Sequence, residues 1–119
     1  MAQLGIRNNN WLNVRYNPNN PWVGQTGGDD SNYAEFENPV YGIRAADKVL
    51  ANYQKLHGID NVADTINRYA PPSDNNPTQS YVDYVSDKMG VKSNDSIDLS
   101  DPDVRARMMR AMVGFETPD

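Results

Sequence analysis

The stretch NPVYGIRAADKVLANYQKLHG, residues 38–58, is where the chain changes character. Asn38 followed by Pro39 supplies an N-cap and a first-turn residue whose missing N–H costs a helix nothing. Ile43, Ala46, Leu50, Tyr53 and Leu56 then recur at helical spacing until Gly58 offers a left-handed stop. The pattern predicts a helix over residues 39–57, the longest of the chain. His57 falls at its C-terminal end, where the helix dipole favours it.

Outward from this helix the two sides differ. Residues 1–38 are rich in asparagine, glycine and proline, and their extended-looking pieces are NVRY (13–16) and YAEF (33–36), set among NPNNP and TGGDD. Such runs predict a small irregular β-lobe of two or three short strands. On the other side a second helix is expected from about Asn61 to Tyr69, with Val62 and Ile66 inward, ending before Pro71 and Pro72. A third spans Thr78 to Met89, with Tyr81, Val85 and Met89 on one face and Gly90 as its stop. The fourth opens at SDPD, where Ser100 is expected to cap and Asp103 completes a capping-box-like pair. Its apolar face is Val104, Met108, Ala111 and Met112, its end is expected at Gly114, and its methionines read as adaptable core filling. The fold class is α+β: one domain over 1–119, with a β-rich lobe (1–38) and about four helices (39–119).

Composition removes several function classes. The chain has 119 residues, enough for one core. Its mean hydropathy is −0.78, and no apolar run approaches the roughly 20 residues of a membrane span. MAQLGIRNNN has no apolar signal-peptide region. Sixteen acidic residues against 11 scattered basic ones give a net charge of −5, which argues against a nucleic-acid partner. The absence of cysteine excludes disulfides and thiolate chemistry, and the single histidine disfavours a His-rich metal site or a Ser-His-Asp triad. Carboxylates, amides, hydroxyls and aromatics are left to do any chemistry.

The blocks GIRNNN…NVRYN, PWVGQTGGDD, YAEFENPVYGIRA, LANYQKLHGI, INRYAPPSDNN, YVDYVSDKMGV and IDLSD follow one another in order over nearly the whole chain. Together they resemble a family of bacteriophage virion-associated proteins whose usual opening is GIRNNNPGNIR, similar to peptidoglycan-degrading enzymes of the lysozyme-like and glucosaminidase type. This chain departs from the pattern twice. Trp11 and Leu12 stand where the family has Pro-Gly, so its tight turn is not expected here, and VGFETPD stands where members carry His-Glu-Asn-Gly and continue.

Cleaving a glycosidic bond needs a carboxylic acid still protonated near neutral pH, usually with a second carboxylate or a substrate group opposite. The chain has three glutamates. Glu116, beside Phe115 and Met112 just past the expected end of the last helix, is the first choice for general acid, because apolar neighbours raise a carboxyl pKa. The resemblance points to the same residue. A glutamate so near a chain end is otherwise a solvated tail residue. Glu35 is the candidate second carboxylate; on a strand it shares a face with Glu37, opposite Phe36, an arrangement that also describes an ordinary solvated face. Asp29 and Asp30 in TGGDD read as a turn rather than a calcium loop.

With a glycan as substrate, the amides of Asn8, Asn9, Asn10 and Asn13 become candidates for binding hydroxyl and N-acetyl groups, and Trp11, Trp22 and Tyr33 for stacking on sugar rings. Asparagine is equally at home in left-handed turns, and Trp22 after Pro21 equally serves as a core plug. Arg68 and Tyr69, before the Pro-Pro turn, correspond in the resemblance to a wall of the substrate groove; the prolines alone account for helix termination there.

The leading expectation is a lysozyme-like murein hydrolase of muramidase, glucosaminidase or lytic transglycosylase type, carried in a virion with other virion proteins and cleaving peptidoglycan glycan strands at the cell wall or periplasm during entry. Neither metal nor organic cofactor is implied. The main alternative is a catalytically inactive virion structural protein with the same fold, which the changes at Trp11 and after Glu116 favour. A free-standing carbohydrate-binding module is the third.

Overall fold

The computed structural model describes residues 2–19 and 21–117. Asn38 caps the long helix as its sequence predicts: its side chain accepts from the Val40 N–H at 2.9 Å, and α2 runs Pro39–His57. At the far end Gly58 has φ +66°, with the Gly58 and Ile59 N–H groups donating to Gln54 and Tyr53 carbonyls. Ala46 and Leu50 are buried and Ile43 and Tyr53 half-buried, but Leu56 is 64% exposed. Six residues past Leu50, it lies about 120° around the helix from it, outside the buried stripe.

The remaining elements follow in chain order: α1 (Ala2–Arg7), β1 (Gln25–Gly28), β2 (Ala34–Phe36), then after α2 come α3 (Val62–Tyr69), a short 3-10 turn (Pro72–Asp74), α4 (Thr78–Met89) and α5 (Pro102–Glu116). The molecule is thus the expected α+β arrangement, a two-stranded antiparallel hairpin followed by four helices, with one unforeseen helical turn and a half at the start.

The strands are not all where the propensities put them. YAEF yields β2, but NVRY contributes only an isolated antiparallel bridge, Arg15 to Tyr33. Asn13 turns left-handed at φ +53°, and the Val14 N–H is taken by the Asn10 side chain at 2.9 Å instead of a neighbouring strand. The partner of β2 is β1, drawn from QTGG, with a bulge between Gln25 and Gly27. A Gly-Gly pair serves here because a Cβ on Gly28 would lie 2.3 Å from Cγ of Tyr16, whose ring covers the strand.

The helical expectations hold for α3 and α4, including the buried Val62 and Ile66 and Gly90 at φ +70°; Asn61 lies just outside α3 as its N-cap. Two details of α5 differ. Asp101, not Ser100, accepts from the Asp103 N–H (2.8 Å), while the Ser100 hydroxyl is bonded to Asp98. Gly114 does not end the helix, which continues to Glu116; a Cβ there would lie 2.5 Å from the Tyr84 hydroxyl, so glycine marks a close helix–helix approach. One core joins the elements. Leu50, Ile66, Tyr81, Val85, Met108 and Met112 meet between α2, α3, α4 and α5, and Leu12, Val14, Ala34 and Phe36 close it from the N-terminal lobe. Each buried Val, Leu, Ile, Phe or Met side chain among them contributes about 1.5–3 kcal/mol.

Candidate functional site

Because α5 runs through Gly114, Glu116 sits in its last turn, partly buried. Asn13, in its left-handed turn, donates from Nδ2 to Oε1 at 2.9 Å, and the Tyr81 hydroxyl donates to Oε2 at 2.9 Å. Tyr81 has little freedom to miss: its ring stacks on Phe115 with centroids 4.3 Å apart and planes 16° off parallel. Burial raises the Glu116 pKa above its ordinary 4.5, against the opposing pull of the Asn13 and Tyr81 hydrogen bonds and the Arg15 charge. The negative end of the α5 dipole acts in the same direction as burial. Tyr81 is itself pushed far above the usual phenol range, by burial first and by Glu116 second, and so stays a donor.

Glu116 opens onto a cleft of about 360 Å³. The N-terminal lobe contributes Asn13 and Tyr33, the loop before α4 contributes Asp74 to Pro77, and α4 and α5 contribute Tyr81 and Phe115. That loop is held tightly. Three prolines restrict it, the Asp74 N–H and the Asn76 amide both donate to the Pro71 carbonyl (3.0 and 2.9 Å), and the Thr78 hydroxyl closes it onto Ala70 at 2.6 Å. From the N-terminal lobe Arg15 reaches Asp74 at 3.3 Å and lies 5.0 Å over the Tyr33 ring. A desolvated carboxyl beside a fixed phenol, in a polar cleft with a second carboxylate, is suited to donating a proton to a leaving oxygen.

No protein-family model matches the chain. It is 34% identical over 99 residues to Protein P5 of Pseudoalteromonas phage PM2, an alignment covering 81% of this chain and 61% of that protein. The chain is a homologue of a phage protein. It therefore spans about three fifths of the relative's length.

Of the residues singled out from sequence, this phage-protein homologue brings Asn13, Tyr33 and Glu116 together at the cleft. Asn8, Asn9 and Asn10 have spent their amides within the protein: Asn8 donates to Asp29 (2.7 Å), Asn9 to the Phe36 and Glu37 carbonyls (2.9 and 3.2 Å), and Asn10 to those of Val14 and Ala34 (both 2.9 Å). Trp11 borders a separate, mainly apolar groove with Ile43 and Met109, and Trp22 a pocket with Tyr41, Arg44 and Lys48. Arg68 lies beside His57 and over Tyr53, while the Tyr69 hydroxyl donates to the Leu12 carbonyl at 2.6 Å behind the cleft. Glu35 lies on β2, half-exposed and outside the cleft lining, opposite the buried Phe36 as expected of a strand. Asp29 orders the turn: burial works against its ionisation, but hydrogen bonds from the Tyr33 N–H, Asn8 and the Ser31 N–H, with the Arg7 charge, hold its pKa below 3.8.

The sequence reading missed Asp74, Tyr81 and Phe115 as cleft residues. Tyr81 and Phe115 carry the signature of core packing, which they also do. The signal for Asp74 was present, a carboxylate in the proline-braced PPSDNNP loop. Among the described residues, no His, Asp and Glu side chains form a metal-binding group of three or more, and no helix is long and apolar enough to cross a membrane.

Proposed function

We propose that this chain is a murein hydrolase carried in a phage virion, with Glu116 as the general acid that protonates the leaving oxygen of a peptidoglycan glycosidic bond. The carrying observation is Glu116 itself: its burial favours the proton, Tyr81 and Asn13 aim the carboxyl, and it faces a polar cleft. A carboxylate on the far side of the sugar ring, or the substrate's own acetamido oxygen, stabilises the developing positive charge. Homology to a phage protein and the resemblance to virion-associated proteins support a place in the virion among other virion proteins, acting at the cell wall.

The test is digestion of purified sacculi by the protein and by Glu116→Gln, with soluble products identified by mass spectrometry. The parent is expected to release disaccharide-peptides and the variant at least 100-fold less, in line with the loss of a positioned general acid. A folded parent that releases nothing refutes the hydrolase. One observation favours a second reading, a structural virion protein: both Glu116 oxygens are held by protein donors, which also makes the residue a strut between α4, α5 and the N-terminal lobe. Sacculus binding without release, together with incorporation into particles, is the outcome that reading expects.

A further inference from the structure

We propose that Asp74, not Glu35, is the second catalytic carboxylate of the cleft, acting as the base that activates the attacking water; the inference rests on the hydrolase reading above. Among the described residues two carboxylates line the cleft, Glu116 and Asp74. Their environments are opposite. Glu116 is partly buried in a helix end between a phenol and an amide, whereas the Asp74 side chain is 47% exposed and paired with a guanidinium. That contrast separates a proton donor from a proton acceptor in enzymes that use two carboxyls.

The setting of Asp74 fits a positioned base better than a stabilising ion pair. An exposed pair such as Arg15–Asp74 adds little stability. The loop beneath it is nevertheless braced by Pro71, Pro72 and Pro77 and by hydrogen bonds to the Pro71 and Ala70 carbonyls, which fixes the backbone that carries the carboxylate. Arg15 anchors it from the N-terminal lobe, at 3.3 Å. Glu35 has none of these features and stands outside the lining.

In the step, a water held by Asp74 loses a proton to its carboxylate while the water oxygen bonds to the anomeric carbon. The glycosidic C–O bond breaks with its electron pair going to the leaving oxygen, which takes the Glu116 proton. Asp74 ends protonated and Glu116 ionised, and exchange with solvent restores both. Arg15 is a positioning residue that acts through Asp74.

The experiment compares sacculus digestion by the full chain with that by Asp74→Asn, Asp74→Ala and Glu35→Gln, all shown to fold by circular dichroism, with and without sodium azide. Expected are a loss of 100-fold or more for both Asp74 variants, at least tenfold recovery of Asp74→Ala in azide with a glycosyl azide among the products, and Glu35→Gln within twofold of the parent. An active parent with folded Asp74 variants of unchanged rate overturns the inference and leaves the hydrolase standing. Anhydro-sugar products from the parent also overturn it, since no water then attacks. A parent without activity removes both. Recovery by azide is what a merely structural role for Asp74 does not produce.

Discussion

Asn10 has no exposed surface, and its amide bonds to three backbone partners: the carbonyls of Val14 and Ala34 and the Val14 N–H, all at 2.9 Å. It acts as a piece of secondary structure made from a side chain, fixing the loop before Val14 against β2. Truncation would leave the Ala34 carbonyl and the Val14 N–H unpaired, while the Val14 carbonyl keeps the Ala34 N–H at 3.0 Å, so Asn10→Ala is expected to cost about 2–4 kcal/mol, read from urea unfolding. Glu116 predicts a pH dependence with a definite sign. Its folded pKa is raised above 4.5, so below 4.5 the carboxyl is protonated folded or unfolded, and stability falls as pH rises through the folded pKa and the buried group ionises. Glu116→Gln removes this cost. The gap between the variant's and the parent's melting temperatures should be smallest well below pH 4.5, widen in the variant's favour as pH rises above it, and level off once the folded carboxyl has ionised; a constant offset would show that Glu116 does not titrate in this way.

At the scale of elements, local signals decided most of the helices. The Asn38 cap and the Gly58 stop bound α2 at the residues the sequence marks, and Asn38→Ala is expected to lower stability by about 1 kcal/mol through loss of one helix cap, measured by thermal melting. The exceptions have physical reasons. Gly114 reads as a helix stop when only its own chain neighbours are considered; in the fold the Tyr84 hydroxyl needs the space, and α5 gains the last turn that carries Glu116. NVRY has the residues of a strand, but the Asn10 side chain takes the Val14 N–H that a ladder would need.

Over the whole molecule, the site depends on how the N-terminal lobe sits against the helices. Tyr69 reaches from α3 to the Leu12 carbonyl, Thr117 from the end of α5 to the Trp11 carbonyl, and Asn13 from the lobe to Glu116. Tyr69→Phe removes one of these ties and leaves a carbonyl unpaired, so it should destabilise by about 1–2 kcal/mol, and sacculus digestion should fall in the same variant as Asn13 loses its aim. The sequence by itself determined the α+β class, the four main helices with the cap and stop of α2, and Glu116 as a candidate carboxyl, because hydrophobic period, capping residues and apolar neighbours act over a few positions. Tertiary structure alone decided which polar residues face the cleft. An amide has the same local propensities whether it binds a ligand or a backbone carbonyl 24 residues away; folding of the N-terminal lobe on itself ties up Asn8, Asn9 and Asn10, and its packing against α4, α5 and the loop before α4 brings Asn13, Asp74 and Glu116 around one cavity.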